Sequence, residues 1–291
     1  MACESLGKFH KRTRAEHTKN AIHNYTVKVL ALLPLLFAMQ VIAEDPRVTS
    51  LVQQGDAMEK QGKTRSALSS FRAAEGIEPQ NVGVLLRISK QYSDLIAVTK
   101  PEDNAKRMAD LAMDYGNRAL TADPKNAKAH LNIAVSYGHM TDFVGNKTKL
   151  EYSKIIHDET LRSIELDPSD DFAWHVLGRW EAGVANVSGV LKALASIVYG
   201  GMPKASNEEA VKCFKKALEI APQRLIHHAE LAHVYKQMGK HDLELQEWQN
   251  TLGIRALDSD DENYQKEART ALETARKARG GAEGVGFTTR R

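Results

Sequence analysis

Proline closes a short phrase that occurs four times in this chain, and this phrase constrains the fold more than any other feature. In each copy a small residue, an apolar residue and an acidic residue lead up to the proline, at Pro79, Pro124, Pro168 and Pro222. Proline ends a helix because it has no N–H to donate and its ring clashes with the preceding turn. Upstream of the prolines, apolar and small residues recur at spacings of three and four, which places them on one helix face. The phrase therefore indicates a repeated helix–turn–helix unit.

The residues around each proline resemble the tetratricopeptide repeat, whose two helices follow the pattern W-x2-L-G-x2-Y and then A-x3-F-x2-A before a proline. The matching residues are Ala67, Phe71 and Ala74 in the first unit, and Trp174, Leu177, Gly178, Ala210, Phe214 and Ala217 in the fourth. Units two and three fit less well, because Gly116 and Thr160 stand where an aromatic residue is usual. The resemblance implies an all-α fold, a right-handed α-solenoid of about five helix pairs, and binding rather than catalysis.

The spacing of the prolines predicts that the middle units are enlarged. Successive prolines are 45, 44 and 54 residues apart, whereas the regular period is about 34. The extra residues fall around Val98–Ala105, Thr141–Lys149 and Val187–Ser206. In the third insert one helix face would be apolar, with Val190, Leu191, Leu194, Ile197 and Val198. This helix either packs against the fourth pair or forms a flap or a surface for a membrane or a partner.

The fourth unit carries a more specific resemblance. Its segment Leu177-Gly178-Arg179-Trp180 precedes the apolar insert and the turn Gly200-Gly201-Met202-Pro203. Together with the long middle units, this order is similar to the regulator of microtubule dynamics family over roughly Asp45 to Ala278. The resemblance implies a helical repeat domain without catalysis. It also implies association with microtubules, with mitochondria or the endoplasmic reticulum, and in one branch with lipid binding at membrane contacts. Many bacterial proteins share this domain, so the resemblance predicts the fold more narrowly than the partner.

Residues 1–43 differ from the rest of the chain in charge and hydrophobicity. They contain six Lys or Arg residues and two Glu residues, whereas the whole chain has a formal charge of only +3. The apolar run Val29–Ala43 is shorter than the roughly 20 residues of a membrane span, and with its basic flank it predicts a secretory signal peptide. An uncleaved signal anchor or a mitochondrial address would also fit. The predicted divisions are a signal peptide or anchor at 1–43, a repeat domain at 46–278 and a flexible tail at 279–291.

The sequence offers no pattern for catalysis or for a cofactor. His227 and His228 precede His233 by six and five residues, whereas helical zinc sites use histidines four residues apart. Cys3 and Cys213 are the two cysteines, and they form neither a disulfide framework nor a metal motif. No Walker loop, dinucleotide loop or Ser-His-Asp order occurs, so we expect a protein that is not an enzyme and has no cofactor. The nearly neutral repeat domain also lacks the basic surface of a nucleic-acid-binding protein.

Polar side chains are concentrated where the first helix of each pair would line a concave groove. The predicted groove-binding residues are Arg87, Lys90, Lys128, Asn132, His139, His175, Arg179, His233 and Lys236, with Phe172 and Glu230 among them and Asp56, Glu59 and Lys60 in the first unit. From units two to five this face is cationic and rich in hydrogen-bonding groups. It would suit an acidic peptide, a C-terminal carboxylate or a lipid headgroup. Lys128 and Asn132 partly resemble the carboxylate clamp of chaperone-binding repeats, although a solvated face is also consistent with these residues.

Two functions of different classes follow from the sequence. The first is a protein-interaction scaffold that binds an acidic peptide or protein segment in the groove. The alternative is a lipid-binding or lipid-transfer module at a membrane, which would use the apolar insert near 190–198. A third and weaker hypothesis is an envelope assembly factor tethered by its N-terminus. We expect export to the periplasm or the secretory pathway, or a membrane anchor at 29–43, with association with mitochondria or microtubules as the alternative.

Overall fold

The computed structural model describes residues 45–96, 98–100, 102–199 and 204–285, so the predicted signal segment at 1–43 lies outside the described residues. From Pro46 onward the chain forms one compact unit. Its helices are α1 Pro46–Glu59, α2 Thr64–Ile77, α3 Val82–Ile96, α4 Glu102–Ala122, α5 Ala127–Met140, α6 Asn146–Leu166, α7 Asp171–Ala185, α8 Gly189–Tyr199, α9 Asn207–Ile220, α10 Leu225–Gln237, α11 His241–Gly253 and α12 Ser259–Val285. No strand occurs in these described ranges, and the predicted all-α fold is confirmed.

The helices pack in pairs, and the pairs stack along the chain. The most extensive helix–helix contacts join α1 with α2, α3 with α4, α5 with α6, α7 with α9, and α10 with α11. Each pair also contacts the next, through α2 and α3, α4 and α5, α6 and α7, and α9 and α10. In a solenoid each unit buries its apolar face against its neighbours in this way. The predicted α-solenoid of helix pairs is therefore confirmed, and α12 adds a further helix after the last pair.

The repeated prolines lie at the turns between pairs. Each follows the last residue of a second helix by two positions, as Pro79 follows Ile77 and Pro222 follows Ile220. Side chains then cap the N-termini of some of the next helices, where they accept hydrogen bonds from backbone N–H groups that have no partner within the helix. Asn126 accepts from Ala129, before α5, and Asp170 accepts from Phe172 and Ala173, before α7. The sequence phrase therefore marks the places where one pair ends and another starts.

The three inserts enlarge the middle units in two different ways. Helices α4 and α6 have 21 residues each, whereas α2 and α9 have 14. The first two inserts therefore mainly lengthen second helices. The third insert forms the separate helix α8, as its apolar periodicity predicts, and α8 contacts α6 of the third pair. In α8, Ala195 is buried whereas Val190 is exposed.

In the first pair and again in the fourth, a close contact between a glycine and a phenylalanine holds the two helices of the pair together. A Cβ atom placed on Gly55 of α1 would overlap the ring of Phe71 on α2. Likewise, a Cβ atom on Gly178 of α7 would lie 3.0 Å from the ring of Phe214 on α9. Both phenylalanines are fully buried. The Gly and Phe positions of the repeat pattern thus belong to a single packing contact, which explains why the pattern requires both residue types.

The long helix α12 covers the C-terminal end of the last pair. Buried Ala268 belongs to the same apolar cluster as Ala232 on α10 and Trp248 on α11, with Leu272 packed against that cluster. The helix continues to Val285, past the boundary where the sequence predicts the tail to begin, and residues 286–291 lie outside the described range. Among the described helices, none combines the length and the hydrophobicity that a membrane span requires.

Candidate functional site

The first helices of the five pairs lie next to one another and form one face of the solenoid, which we call the groove face. Helix α3 contacts α5, α5 contacts α7, α7 contacts α10, and α10 contacts α12. An ion pair between Asp56 on α1 and Arg87 on α3 joins the first two of these helices. Every groove residue predicted from the sequence lies on this row of helices, except Lys60, which directly follows α1. The structure therefore brings the predicted set onto neighbouring elements, although it does not leave every member accessible.

Carboxylates of the protein hold the cations at the α1–α3 end of the groove face. The Arg87 guanidinium contacts the Asp56 carboxylate twice, with Nε–Oδ1 at 2.7 Å and Nη2–Oδ2 at 3.1 Å. Lys90 Nζ lies 2.9 Å from Glu59 Oε1 and 2.7 Å from Asp94 Oδ2. Burial lowers the pKa of Lys90, but Asp94 and Glu59 outweigh burial and raise it above its usual value. An acidic ligand would have to compete with these intramolecular partners.

Helix α5 carries three predicted groove residues, of which Lys128 is exposed and Asn132 and His139 are partly buried. Lys128 is exposed near the start of the helix. The Asn132 amide is engaged between helices, because Ser89 Oγ on α3 lies 2.5 Å from both Asn132 Oδ1 and the Ala112 carbonyl oxygen and can donate its single proton to either. Burial lowers the pKa of His139 and so favours its neutral ring. Of the two residues that resemble a carboxylate clamp, Asn132 is engaged with Ser89, and Lys128 remains exposed to a ligand.

Glu230 on α10 is the centre of a polar cluster that joins α7, α10 and α12. The Tyr264 hydroxyl donates a hydrogen bond to Glu230 Oε1 at 2.9 Å, and Arg179 Nε lies 3.8 Å from the same oxygen. His233 Nδ1 lies 3.7 Å from Glu230 Oε2, while His233 Nε2 is 2.8 Å from Glu267 Oε1. The ring of His233 also lies edge-on to buried Trp248. This cluster is the most connected polar arrangement on the groove face.

The charges of this cluster shift the pKa values of its members in opposite directions. Burial favours protonated Glu230, but the interaction with His233 and the charge of Arg179 outweigh burial and lower the pKa of Glu230 to about 2. Burial lowers the pKa of His233, but Glu230 and Glu267 outweigh it and raise that pKa above its usual value. Burial and then the charge of Glu230 raise the pKa of Tyr264. The network therefore favours a carboxylate at Glu230, a neutral phenol and a cationic His233.

His175 lies beneath the groove face, which corrects its prediction as a ligand-binding residue. It is only 1% exposed, and its Nδ1 atom lies 3.0 Å from Nδ1 of His227 on α10. Its ring stacks on Phe172 and meets Phe214 edge-on. The physical reason is that this side of α7 packs against the next pair, so a ligand on the groove face cannot reach the imidazole.

The arrangement of carboxylates also corrects the electrostatic prediction. The sequence predicts a cationic face, but carboxylates lie beside most of its cations: Asp56, Glu59, Asp94, Glu230 and Glu267. Within the described ranges, no ion pair is formed by the exposed side chains of Lys128 and Lys236. Arg179 has a side-chain exposure of 61% and only the long contact with Glu230. Among the predicted cations on α3, α5, α7 and α10, these three remain the most available to a ligand.

Sequence reasoning missed part of this site for two different reasons. Asp94 follows Lys90 by four residues and so shares its helix face, which means that helix spacing alone could have identified it. Tyr264 and Glu267 lie on α12, which carries no repeat signature, so only the packing of α12 against α10 shows that they take part.

The three histidines near the start and middle of α10 do not converge. His227 Nε2 lies 2.8 Å from Asp171 Oδ2, and His228 Nδ1 lies 2.7 Å from Glu247 Oε2. His233 turns to Glu267 instead. Among the described residues, no group of three or more His, Cys, Asp or Glu side chains is arranged to hold a metal ion.

A family model for regulator of microtubule dynamics protein 1-3 matches residues 51–276, which is most of the chain. The chain belongs to the regulator of microtubule dynamics family. It is 25% identical to mouse regulator of microtubule dynamics protein 1 over 186 residues, covering 62% of this chain and 59% of the relative. It is also 25% identical to human regulator of microtubule dynamics protein 2 over 191 residues, covering 65% and 46%. The chain thus spans about half the length of the curated relatives it matches.

A solved structure supports the fold independently. The crystal structure of a thermophilic TPR protein from Thermus thermophilus aligns with a TM-score of 0.58 and 15% identity, covering 77% of this chain and 98% of that one. At this identity the similarity concerns the fold alone. Together, family and fold are those of a helical repeat scaffold.

The Leu-Gly-Arg-Trp segment that suggested the family has a clear structural role in this family member. Leu177 and Trp180 are buried, and Trp180 Nε1 donates a hydrogen bond to the Ser153 carbonyl oxygen on α6 at 2.8 Å. Gly178 accommodates the ring of Phe214 from α9. Arg179 is the only residue of the segment with an exposed side chain. The segment therefore fixes α7 between α6 and α9 and presents one cation on the groove face.

Proposed function

We propose that this protein is a non-catalytic scaffold whose groove face binds an acidic peptide or protein segment of a partner. The observation that carries the proposal is the state of Arg179, which is exposed and separated by 3.8 Å from its nearest carboxylate oxygen. An arginine with a good intramolecular partner, such as Arg87 with its two contacts to Asp56, has much less to gain from a ligand. Arginine binds carboxylates strongly when two parallel N–H···O bonds can form.

Neighbouring residues support this choice of anchor. Glu230 keeps its hydrogen bond from Tyr264 and its interaction with His233 if Arg179 turns to a ligand. Lys128 on α5 and Lys236 on α10 are exposed on the helices that flank α7 in the row. The carboxylates paired with Arg87 and Lys90 would repel an acidic ligand at the α1–α3 end and so favour binding near α7.

We expect the substitution Arg179→Glu to weaken binding of a fluorescently labelled peptide rich in Glu and Asp by at least about tenfold, because it replaces the anchoring cation by a like charge. Fluorescence anisotropy gives the dissociation constant, and a lower salt concentration should enlarge the difference. The control is Arg162→Glu on α6, which reverses an exposed arginine that is paired with Glu165. Absence of binding by the wild type, or equal weakening by both substitutions, would refute the proposal.

The relatives are named as regulators of microtubule dynamics, and we extend that role to this chain as part of the proposal. The partner would then be a microtubule component or an associated protein that carries an acidic segment, and the predicted association with mitochondria or microtubules fits this role. Co-sedimentation with assembled microtubules tests the extension separately from the peptide experiment. If the acidic peptide binds and microtubules do not, the groove proposal stands without this partner.

A second candidate function is contact with a lipid membrane through α8. The observation that favours it is the 80% exposure of the apolar side chain of Val190 on this mostly apolar helix. Lys192 on α8 and Lys147 on α6 are also exposed, and α8 contacts α6. Exposed apolar and lysine side chains on neighbouring helices suit a surface that contains anionic lipids. The predicted lipid role of the insert near 190–198 rests on this combination.

We expect Val190→Asp to reduce binding of the protein to vesicles of phosphatidylcholine and phosphatidylserine, because it places a charge where an apolar side chain would enter the bilayer interface. Vesicle co-sedimentation measures the bound fraction. Val98→Asp is the matched control, since Val98 is 71% exposed and lies outside α8. Equal binding by the two variants, or no binding by the wild type, would exclude this second function.

A further inference from the structure

Two histidines face each other in the buried junction between the fourth and fifth helix pairs. His175 on α7 and His227 on α10 bring their Nδ1 atoms within 3.0 Å, and His227 Nε2 lies 2.8 Å from Asp171 Oδ2. Because a carboxylate only accepts hydrogen bonds, His227 carries a proton on Nε2, and its neutral ring has a lone pair on Nδ1. His175 must then donate its Nδ1–H to that lone pair. The three side chains form one chain of hydrogen bonds between the two pairs.

This geometry limits how many protons the closed junction can hold. One extra proton can bind to Nε2 of His175 while its Nδ1–H still donates to His227. Two imidazolium rings would each place an N–H in the same 3.0 Å gap, where neither could accept. The unfolded or separated chain has no such limit, and both histidines are free to bind a proton below the ordinary histidine pKa of about 6.5. Acid therefore favours the separated junction.

The surroundings of the two histidines also favour their neutral forms. Burial and then the charge of His227 lower the pKa of His175 well below its usual value. Burial also lowers the pKa of His227 and outweighs the hydrogen bond to Asp171. The titratable or charged groups that face the two rings are Asp171, Arg179, Arg224, His228 and Glu230. From α9 the facing side chain is the apolar ring of Phe214.

The acidic neighbours do not provide an unshared counter-charge for an imidazolium. Asp171 Oδ2, which contacts His227, also accepts from Arg224 Nη1 at 2.6 Å. Glu230 is engaged with Tyr264 and lies near Arg179. Both carboxylates are therefore already balanced by cations or hydrogen bonds while the histidine pair is neutral. The stabilisation that depends on the neutral rings is complete above about pH 6.5 and is lost as the pH falls below it.

We propose that the α7–α10 junction is a pH-sensitive switch, in which proton uptake by His175 and His227 releases the fifth helix pair and α12 from the fourth pair. Each pair of a solenoid contacts only its neighbours, so one interface can open while the remaining units stay folded. The contact between Arg179 and Glu230 crosses the same junction. Opening would therefore also divide the groove face, although the switch does not depend on any ligand there.

Hydrogen–deuterium exchange of the full chain, corrected for the intrinsic pH dependence of the chemical rate, tests this proposal. Below about pH 6 the opening equilibrium constant of α10 amides should rise by about tenfold per pH unit for each excess proton bound by the open state. The amides of α1 and α2 should change much less over the same range. Equal loss of protection in all pairs, or unchanged protection of α10, would overturn the proposal.

A pair of variants assigns the effect to the two rings. The double substitution His175→Phe and His227→Leu removes both titrating groups and retains apolar volume, so the loss of α10 protection between about pH 6.5 and 5 should disappear. The control His241→Gln changes an exposed histidine on α11 and should leave that loss unchanged. If the double variant does not fold, imidazole ¹⁵N NMR of the wild type decides. Protonation of both rings without loss of α10 protection would then overturn the switch.

Discussion

Replacing Phe214 with alanine is expected to lower the free energy of unfolding by about 3–5 kcal/mol. The ring is fully buried between α9 and α7, and it lies directly against Gly178. Glycine has no side chain that could move into the space left by the ring, so the variant loses both the burial of the ring and the contacts around the resulting cavity. Urea denaturation followed by helical circular dichroism measures the change in free energy.

The matched control for this prediction is Phe172→Ala. Phe172 is only partly buried and packs below the Arg224 guanidinium, whose Cζ lies 4.9 Å from the ring centroid. Because less apolar surface is removed from water in the folded state, we expect a clearly smaller loss than for Phe214→Ala. Equal losses for the two variants would contradict the Gly178–Phe214 contact as the central packing element of the fourth pair.

Replacing Glu230 with glutamine is expected to cost about 3 kcal/mol at neutral pH, since the pKa of this carboxyl falls from its ordinary value of 4.5 to about 2. The substitution keeps the size of the side chain and an oxygen for Tyr264, but it leaves Arg179 and His233 without their shared carboxylate. The loss is costly because the partly buried His233 keeps only one of its two carboxylates, Glu267. Urea denaturation at neutral pH measures this loss.

The stabilisation that the Glu230 carboxylate contributes should depend on pH. A carboxyl whose folded pKa lies below its unfolded pKa stabilises the fold fully above about pH 4.5, and this stabilisation is lost as the pH falls from there towards 2. The wild type should therefore lose this stabilisation across that interval, whereas Glu230→Gln should show a shallower dependence. Glu208→Gln, at an exposed site in the first turn of α9, is the control and should follow the wild type. A wild-type curve identical to that of Glu230→Gln would contradict the assigned network.

Most of the helix order could be predicted because the signals are local. A proline two residues after Ile77 or Ile220 ends a helix through its own covalent structure, irrespective of what packs nearby. Likewise, the apolar spacing in Gly189–Tyr199 identifies α8 before its neighbours are known. The position of α12 could not be predicted in this way, because its sequence does not repeat the phrase of the other units.

The composition of the groove face could be predicted only in part. Spacing along a helix indicates which residues share a face, so Arg179 and His175, four residues apart, were assigned to the groove together. A helix in this fold buries one side of that face, and His175 lies in the junction with α10 while Arg179 remains exposed. The difference depends on how α7 is rotated against its neighbours, which no local pattern specifies.

The sequence alone determined the repeat, the turns at the four prolines and the places of the three inserts, because each depends on residues adjacent in the chain. Only the tertiary structure decided which cations of the groove face are available. Arg87 and Asp56 are 31 residues apart, and Arg179 and Glu230 are 51 apart. Whether such charges meet depends on how the helix pairs stack. The stacking places carboxylates beside most of the cations on helices α3 to α10 and leaves Lys128, Arg179 and Lys236 the least engaged of them.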